Sequence, residues 1–513
     1  MAQQVETVTE WTARAKTFSK AWAATVLREE LFRLSGIQKV VDQLLRVLER
    51  EAFLAVFDLL TELGAAQARA CPRCGLRTDR ERKSCRLNTK RLELRVDVWR
   101  YRCRACNTAR SPVRDWLGLE SGQTTIGLDR ALASLAIRMS FEDAAKQMKE
   151  QHGHEVDRTL VQRRTYAAAR LAEGYLAARR KACVDAYQDR PGKVPGASRV
   201  DVQVDSGGVR TGALQRPSAA EATEFSPVRK LPKGRRPSAR REVRAVIAHK
   251  PGELTNKIID LHVAPLGKPE FTGHRMHCAA LEAGLGDGTH VHMTSDMALW
   301  QTQQFEEQFS AQPRHTHCAD FYHTQEYVSA AGPGLKIKPS DLPAWRAKQA
   351  GRLLNSDLKA VLKELRAHSC DGQRACPQTD NGECAVKVAE RYLVRNGKYM
   401  DYKSFIDEGL PIGSGEVEGL IRHAVRRRLD IPGDWTEPKL AIFAGLLSVY
   451  SSGWWEDFWN WVDRLDRERL RQRLRGNVPN RFRGRPRPRP DSNGTERLDL
   501  TDLSPMFSAS LEF

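Results

Sequence analysis

Two closely spaced cysteine pairs constrain this sequence more than any other feature. Cys71-x2-Cys74 and Cys103-x2-Cys106 each present two thiolates to one ion, and two such pairs complete a tetrahedral Zn²⁺ site. The 28 residues between the pairs exceed the usual ~15–20. Apolar residues alternate within the strand-like stretch 91–106, so a β-hairpin would accommodate the extra length. Because four thiolates leave no open coordination position, the predicted zinc is structural. The alternative is four unrelated buried thiols.

The composition excludes several classes of protein. Of the 513 residues, 41% are hydrophobic and 29% are charged, which is typical of a folded protein and too apolar for a disordered one. No run of 18 or more apolar residues occurs, and the first residues lack the apolar region of a signal peptide. We therefore expect a cytosolic protein without a membrane partner, in which the 11 cysteines are metal ligands or buried thiols.

Two short segments hold most of the positive charge. The formal net charge is +19, with eight Lys/Arg against one Glu in 229–244, and eight Arg without an acidic residue in 471–490. Concentrated basic segments fit a polyanionic partner, and nucleic acid is the leading candidate. The alternative for either segment is solvated, disordered charge.

Residues 139–171 have the spacing of a helix-turn-helix. Ser140 and Asp143 can cap a first helix, Gly153 supplies the turn, and Asp157 can cap a second helix. A recognition helix places long hydrogen-bond donors against the major groove of DNA. The predicted DNA-contacting residues of the second helix are Arg158, Gln162, Arg163 and Arg164. The alternative is an ordinary helical hairpin with a basic face.

Five strand-like segments lie in the middle of the chain, at 200–205, 243–249, 257–263, 290–296 and 315–321. Asp205 closes the first strand, Asp296 closes the fourth, and Glu418 lies in a later helix entered through a glycine turn. Two-metal phosphoryl transfer needs carboxylates that converge on two Mg²⁺ or Mn²⁺ ions about 4 Å apart. An RNase H-like sheet supplies such carboxylates from its first strand, its fourth strand and a later helix. The pattern predicts this α/β core, although any one acid alone is more typical of a solvated surface residue or a helix cap.

From about residue 70 to about 450, the chain resembles bacterial insertion-sequence DDE transposases of the Kra-type group, relatives of the Mutator-like class. The motifs that carry the resemblance are CPRCG…CRAC, SFEDAA, VQVDSGG, TSDMALW, DFYHTQEYV and GLPIGSGEVEGLIRHAVRRRL, in that order. The resemblance implies a catalytic, Mg²⁺-binding triad of Asp205, Asp296 and Glu418. Glu416 occupies a position that the IGSGxVE motif leaves variable.

The sequence departs from the family around the second acid. TSDMA stands where the family has a Gly-Asp-Gly-Ala type stretch, which leaves Asp320 as an alternative to Asp296. The strand order favours Asp296. Cys318 and His323 match a Cys/His pair of this class, and His323 is expected to touch DNA or order the site, or else to be a buried, hydrogen-bonded histidine.

The resemblance also implies a reaction and its partners. Water would hydrolyse a phosphodiester at a transposon end, and the freed 3′-OH would attack target DNA without a covalent enzyme intermediate. The partners would be double-stranded DNA, comprising terminal inverted repeats and target, and a second copy of the chain or more. The zinc ribbon and helix-turn-helix would recognise the repeats, and the protein would be cytoplasmic and associated with a bacterial nucleoid. The arginines expected to hold phosphates near the active site are Arg422, Arg426, Arg427 and Arg428.

The predicted organisation divides the chain into consecutive segments. These are a helical N-terminal region (1–69), a zinc ribbon (70–122), a helix-turn-helix DNA-binding region (123–195), the first part of an RNase H-like catalytic core (196–330, with a basic insert at 213–242), a helical insertion (331–409), the last helices of the core (410–475) and an Arg/Pro-rich disordered tail (476–513).

Two further clusters have less specific patterns. Cys370, Cys376 and Cys384, with His368 nearby, are spaced irregularly and favour free thiols over a second zinc site. The tryptophans at 454, 455, 459 and 461 favour packing over base stacking.

Two other functions fit the same sequence. One is a transposase-derived regulator that binds DNA without catalysis, and the other is an RNase H-like nuclease that cuts DNA without joining ends.

Overall fold

The computed structural model of the chain describes residues 34–118, 123–189, 196–212, 238–253, 255–265, 267–335, 337–368, 382–430 and 435–474. The described residues divide into two compact units, 34–165 with 462–474, and 166–461. Most of the basic insert, Cys370, Cys376 and the predicted disordered tail lie outside the described residues. Within the described ranges, no helix has the length and apolar composition to cross a membrane.

The first unit opens with a long helix and a small sheet. Its elements are α1 (Leu34–Ala68), β1 (Asp79–Asn88), β2 (Glu93–Arg102), β3 (Ala109–Arg110), α2 (Pro112–Leu117) and β4 (Gln123–Thr124). The strand order is β3-β2-β1-β4, and β1 pairs antiparallel with β2. This hairpin lies between the two cysteine pairs, as predicted. Its alternate residues Leu94, Val96 and Val98 are buried in one cluster with Phe57 of α1.

Helices complete the described part of the first unit. They are α3 (Ile126–Ala136), α4 (Phe141–His152) and the beginning of α5 (Arg158–Gln188). The hydroxyl of Ser140 accepts a hydrogen bond from the Asp143 N–H at 3.1 Å, Gly153 ends α4 at φ 59°, and Asp157 accepts from the Leu160 N–H at 2.7 Å. These contacts confirm the predicted caps and turn, because each is a local interaction that the sequence encodes directly.

A mixed five-stranded sheet forms the centre of the second unit. Its strands are β5 (Arg199–Gly212), β6 (Ser238–His249), β7 (Ile258–Val263), β8 (His290–Ser295) and β9 (Arg314–Ala319), in the order β7-β6-β5-β8-β9. β5, β6 and β7 are antiparallel neighbours, whereas β8 and β9 run parallel to β5. All five predicted strands are therefore present. β5 and β6 are longer than predicted by eight and five residues, whereas β7, β8 and β9 are each one residue shorter.

The two faces of β5 contact different helices. Val200, Val202 and Val204 are buried in a cluster with residues of α6 (Pro269–Glu282) and α7 (Leu299–Phe309). Because side chains alternate along a strand, Gln203, Asp205 and Gly207 face the other side. Gln203 and Gly207 there contact the helical segment that carries Glu418, as described below.

The chain after β9 is mostly helical in its described part. The elements are α8 (Phe321–Ala331), a 3₁₀ helix (Gly332–Leu335), α9 (Leu342–Leu354), α10 (Leu358–Arg366), α11 (Ala385–Asn396), a 3₁₀ helix (Gly397–Tyr399), α12 (Tyr402–Asp407), α13 (Gly415–Leu420), a π-helix (Ile421–Leu429), α14 (Glu437–Ser451) and α15 (Trp455–Leu474). Edge strand β7 is covered by α14, since Ser448 and Ser452 accept hydrogen bonds from the backbone N–H groups of Leu261 and Ile259.

Aromatic side chains join α5 to the start of α15 in the second unit. Tyr175 lies edge-on to both Phe458 and Trp461, with ring centroids 5.7 Å apart in each pair. Trp459 and Trp461 are only 4% and 5% exposed. The predicted packing role is thus confirmed for these two tryptophans.

A buried network of charges lies beside β7. Arg275 and Arg180 lie 2.8 and 3.1 Å from the carboxylate of Asp260, and His262 Nδ1 lies 2.8 Å from it. Burial acts to raise the pKa of Asp260, but Arg275, His262 and Arg180 outweigh it and hold that pKa well below its usual range. The carboxylate therefore stays ionised and neutralises guanidinium groups that are themselves largely out of water.

We expect Asp260→Asn to lower the free energy of unfolding by roughly 3–5 kcal/mol, because two largely buried guanidinium groups would lose their counter-charge. Urea denaturation at neutral pH measures this change. Glu253→Gln is the control, since it removes one half-buried carboxylate charge but keeps an oxygen to accept the Asn256 hydrogen bond, and it should change stability by less than about 0.5 kcal/mol. Equal stabilities of the two variants would contradict the role of Asp260.

Candidate functional site

The four cysteines of the two pairs converge in the first unit. Their sulfur atoms all lie within 4.8 Å of one another, with Cys71–Cys106 and Cys74–Cys103 at 3.4 Å and Cys74–Cys106 at 3.8 Å. A tetrahedron of thiolates at the Zn–S distance of ~2.3 Å separates its sulfur atoms by about 3.8 Å. The donor set and its spacing therefore fit one Zn²⁺ ion.

Backbone turns aim each cysteine pair at the centre of this cluster. Gly75 and Asn107 follow the two pairs with φ of 72° and 57°, a left-handed conformation that glycine and asparagine tolerate best. The Arg73 N–H donates a hydrogen bond to the sulfur of Cys71, at 3.4 Å. Hydrogen bonds from Thr108 lower the pKa of the Cys106 thiol to about 6, which favours the thiolate that a metal requires.

We expect Cys103→Ser to lose bound zinc and to destabilise the hairpin, because three thiolates bind zinc more weakly than four and a structural zinc stabilises its fold. Elemental analysis of the purified chain measures zinc, with about one ion expected per wild-type chain. Cys85→Ser is the matched control, since Cys85 is a buried thiol of the same hairpin and lies outside the cluster. A wild-type chain that binds no zinc would contradict the site.

The register of the central sheet brings Asp205 and Asp296 to the same edge. Val204 of β5 is paired with Ser295 at the end of the parallel strand β8, so the two aspartates occupy the next position on adjacent strands. Neighbouring strands are about 4.8 Å apart. Both side chains are partly exposed, so they are accessible to a substrate.

The turn after β8 fixes the backbone at Asp296. Met297 has φ 67°, which a non-glycine residue adopts at a cost, and it is 1% exposed. The Tyr392 hydroxyl of α11 lies 3.4 Å from the Asp296 carbonyl oxygen, and Arg395 donates to the Met297 carbonyl oxygen at 3.2 Å. Packing and these donors hold a strained turn directly beside the second acid.

Glu418 is carried to the same side of β5 by α13. Gln203 of β5 accepts a hydrogen bond from the Val417 N–H at 3.1 Å. Gly207 makes the close approach of the π-helix possible, because a Cβ at this position would lie 3.0 Å from Val425 and 3.2 Å from Ile421. A larger residue at Gly207 would push away the helical segment that positions Glu418.

Electrostatics also relate the three acids to one another. Burial, and then the charges of Asp296 and Glu418, raise the pKa of Asp205 to about 6, whereas the Ser206 N–H and Arg426 act to lower it. Asp205 thus lies within electrostatic reach of both other acids. Within the described ranges, the oxygen atoms of the three carboxylates do not all lie within 4.8 Å of one another, whereas the four cysteine sulfur atoms do.

Asp320, the alternative second acid, has a different environment. It is fully buried at the start of α8, where it accepts a hydrogen bond from the His323 N–H at 2.6 Å and from both the N–H and hydroxyl of Ser414. The Ser414 hydroxyl in turn lies 3.2 Å from Glu418 Oε1. Asp320 therefore holds Ser414, the residue before α13, and the Ser414 carbonyl oxygen accepts a hydrogen bond from the Glu418 N–H at 3.1 Å.

Glu416 is engaged away from the other acids. Lys257 and His249 lie 2.8 and 3.1 Å from its two carboxylate oxygens. This placement favours Glu418 over Glu416 as the third acid.

The arginines after Glu418 divide into an exposed and a buried group. Arg422, Arg426 and Arg427 are exposed on the π-helix. Arg428 was expected to hold phosphate, but this prediction is wrong because the side chain is 4% exposed and its guanidinium lies 4.5 Å from the Phe443 ring centroid. Burial lowers the pKa of Arg428 to about 10, so the group remains charged at neutral pH.

The predicted DNA-contacting residues of the recognition helix also fall into two groups. Arg158 and Arg163 are exposed near the start of α5, and Gln162 is half-buried. Arg164 departs from its predicted DNA contact, because it donates from both Nε and Nη2 to the carboxylate of Asp129 in α3. This bidentate ion pair holds the helices together.

The Cys/His pair after the second acid consists of a buried thiol and a partly exposed imidazole. Cys318 is fully buried, and burial raises the pKa of its thiol well above the ordinary value. The His323 side chain is 34% exposed and lies edge-on to Tyr327, with ring centroids 5.1 Å apart.

In the second cysteine cluster, the sulfur of Cys384 lies 4.0 Å from His368 Nε2.

Sequence reasoning missed the residues that position the acids. Gln203, Gly207 and Ser414 carry no charge, and only the glycines and serine of VDSGG and IGSG marked the segments that contain them. No protein-family model matches this chain, and a search of curated proteins finds no significant match.

Proposed function

We propose that this protein is a DDE transposase that carries out metal-dependent phosphoryl transfer on DNA. The observation that carries the proposal is the register of β5 and β8, which places Asp205 beside Asp296 on the side of the sheet that Glu418 overlies. The strand order, with three antiparallel strands followed by two parallel ones, is the order expected of an RNase H-like core and supports the same proposal.

The three carboxylates supply the hard oxygen ligands that Mg²⁺ and Mn²⁺ prefer. Asp205, Asp296 and Glu418 would hold two such ions. When bound, the ions activate a water for attack on a phosphodiester and stabilise the leaving 3′ oxygen. In a second round the freed 3′-OH would replace water, attack a phosphodiester of target DNA and displace the 3′ oxygen of the target strand.

Neutral side chains prepare this site before any ion binds. Ser414, held by Asp320, accepts a hydrogen bond from the Glu418 N–H at the start of α13, and Gln203 fixes the first turn of α13 against the strand that carries Asp205. Arg426 lies within electrostatic reach of Asp205 and is exposed, so it can pair with a DNA phosphate at the edge of the site. Arg422 and Arg427 extend this positive surface.

Substitution of the acids tests the proposal. We expect Asp205→Asn, Asp296→Asn and Glu418→Gln each to reduce DNA cleavage by roughly a thousandfold or more, because each removes a charge that neutralises the ions. The substrates are end-labelled duplexes taken from the genomic DNA on either side of the reading frame, incubated with Mg²⁺ or Mn²⁺. Glu416→Gln is the matched control and should cleave normally.

The products of that assay separate the alternatives. Cleavage followed by joining of the 3′ ends to a target duplex supports a transposase. Metal-dependent cleavage without joining would indicate an RNase H-like nuclease. DNA binding without metal-dependent cleavage, unaltered by Asp205→Asn, would indicate a DNA-binding regulator and would contradict catalysis.

Gly207 provides a second test that changes no ligand. We expect Gly207→Val to reduce cleavage about 10- to 100-fold, because the added side chain displaces the π-helix and moves Glu418 relative to Asp205. Gly208→Val is the control, since a Cβ there would meet only the flexible Arg240 side chain, at 3.4 Å. Equal activities of the two variants, measured at equal DNA binding, would show that the approach of the π-helix does not set the site.

A further inference from the structure

The helix α1 has a second apolar face that its own unit does not use. One face packs on the β1–β2 hairpin through residues that include Phe53 and Phe57. The side chains exposed elsewhere on the helix, by 39–57%, are Val41, Leu45, Val56, Leu59 and Leu63. Together with Leu48 and Ala52, they recur every three or four residues, so they form one continuous line along the helix. We call these seven residues the α1 stripe.

The α1 stripe is symmetric about Ala52. Residues 41 and 63, 45 and 59, and 48 and 56 are equally distant from Ala52 along the helix, and all six are Val or Leu. A two-fold axis through Ala52 would therefore bring Leu45 of one helix opposite Leu59 of an antiparallel copy. The small side chain of Ala52 would lie on the axis, where two helices approach most closely. This self-complementarity is what a symmetric dimer interface requires.

The extent of the stripe also suits a dimer. From Val41 to Leu63 it covers 22 residue steps, about 33 Å at 1.5 Å per residue, on a helix about 10 Å wide. Two such faces amount to about 660 Å² in projection, roughly half of the ~1,200 Å² at which specific interfaces begin, so the α1 stripe would form the centre of a dimer interface. No charged residue interrupts the stripe, so pairing two copies would bury no unpaired charge within it.

We infer that the α1 stripe is a homodimerisation surface, on which the α1 helix of a second copy of this chain packs in the antiparallel direction. The inference does not depend on the catalytic proposal, since it concerns only the first unit and requires neither DNA nor Mg²⁺. Residues 1–33, which precede α1, are the competing occupant within the same chain.

The mass of the full-length chain in solution tests this inference. Sedimentation equilibrium in zinc-containing buffer without DNA should give twice the chain mass of 57.9 kDa for the wild type. Leu59→Arg should shift the protein to the monomer mass, because it places a charge opposite Leu45 of the partner. Gln43→Arg is the matched control, with the same neutral-to-arginine change at an exposed position outside the stripe, and should remain a dimer.

A charge-pair experiment tests the antiparallel direction and guards against misfolding. Leu45→Glu and Leu59→Arg should each be monomeric alone, but an equimolar mixture should recover the dimer mass, because position 45 of one chain meets position 59 of the other. A parallel dimer would bring each position opposite itself, so the mixture would not recover. A monomeric wild type, as expected if residues 1–33 cover the stripe, would overturn the inference, as would a Leu59→Arg dimer or a mixture that stays monomeric. None of these outcomes bears on metal-dependent DNA cleavage.

Discussion

The parallel pairing of β5 with β8 is the constraint on which the rest of the candidate site depends. The register is fixed because Val200, Val202 and Val204 must all be buried against α6 and α7. A slip of one residue would turn these valines to the opposite face and carry Asp205 into the apolar layer. The same burial that stabilises the sheet thus decides that Asp205 faces α13 and stands next to Asp296.

The position of Glu418, the third acid, depends on several interactions, each of them weaker than the pairing of β5 with β8. Glu418 comes from a helix more than 200 residues along the chain from β5, and Gln203, Gly207 and Ser414 determine how closely it approaches. The raised pKa of Asp205 is the cost of gathering these carboxylates in a partly buried site, since burial and repulsion both oppose its ionisation. If the proposed divalent cations bind there, they would relieve that repulsion.

Much of the local structure could be predicted from the sequence, whereas side-chain partners distant in the chain could not. Short strand-like segments predicted each strand of the central sheet, and Ser140, Gly153 and Asp157 predicted helix ends, because these signals act over a few residues. The partners of Arg164 and Arg428 lie in other helices, so a basic run in the sequence could not separate exposed arginines from buried ones. The approximate placement of Asp205 and Asp296 could be predicted only because the strands that carry them could be predicted.

The division of the arginine run shows why a charge pattern alone is a poor guide to a binding surface. Arg422, Arg426 and Arg427 are exposed, whereas Arg428 is enclosed by Phe443 and Trp435, whose ring centroids lie 4.5 and 5.6 Å from its guanidinium. Burying a cation is unfavourable unless other groups compensate, and the aromatic faces provide part of that compensation. Arg428 therefore anchors the end of the π-helix, and that anchor keeps the three exposed arginines on the segment that also carries Glu418. One basic motif thus supplies both a fixed helix and the charges that the helix presents to solvent.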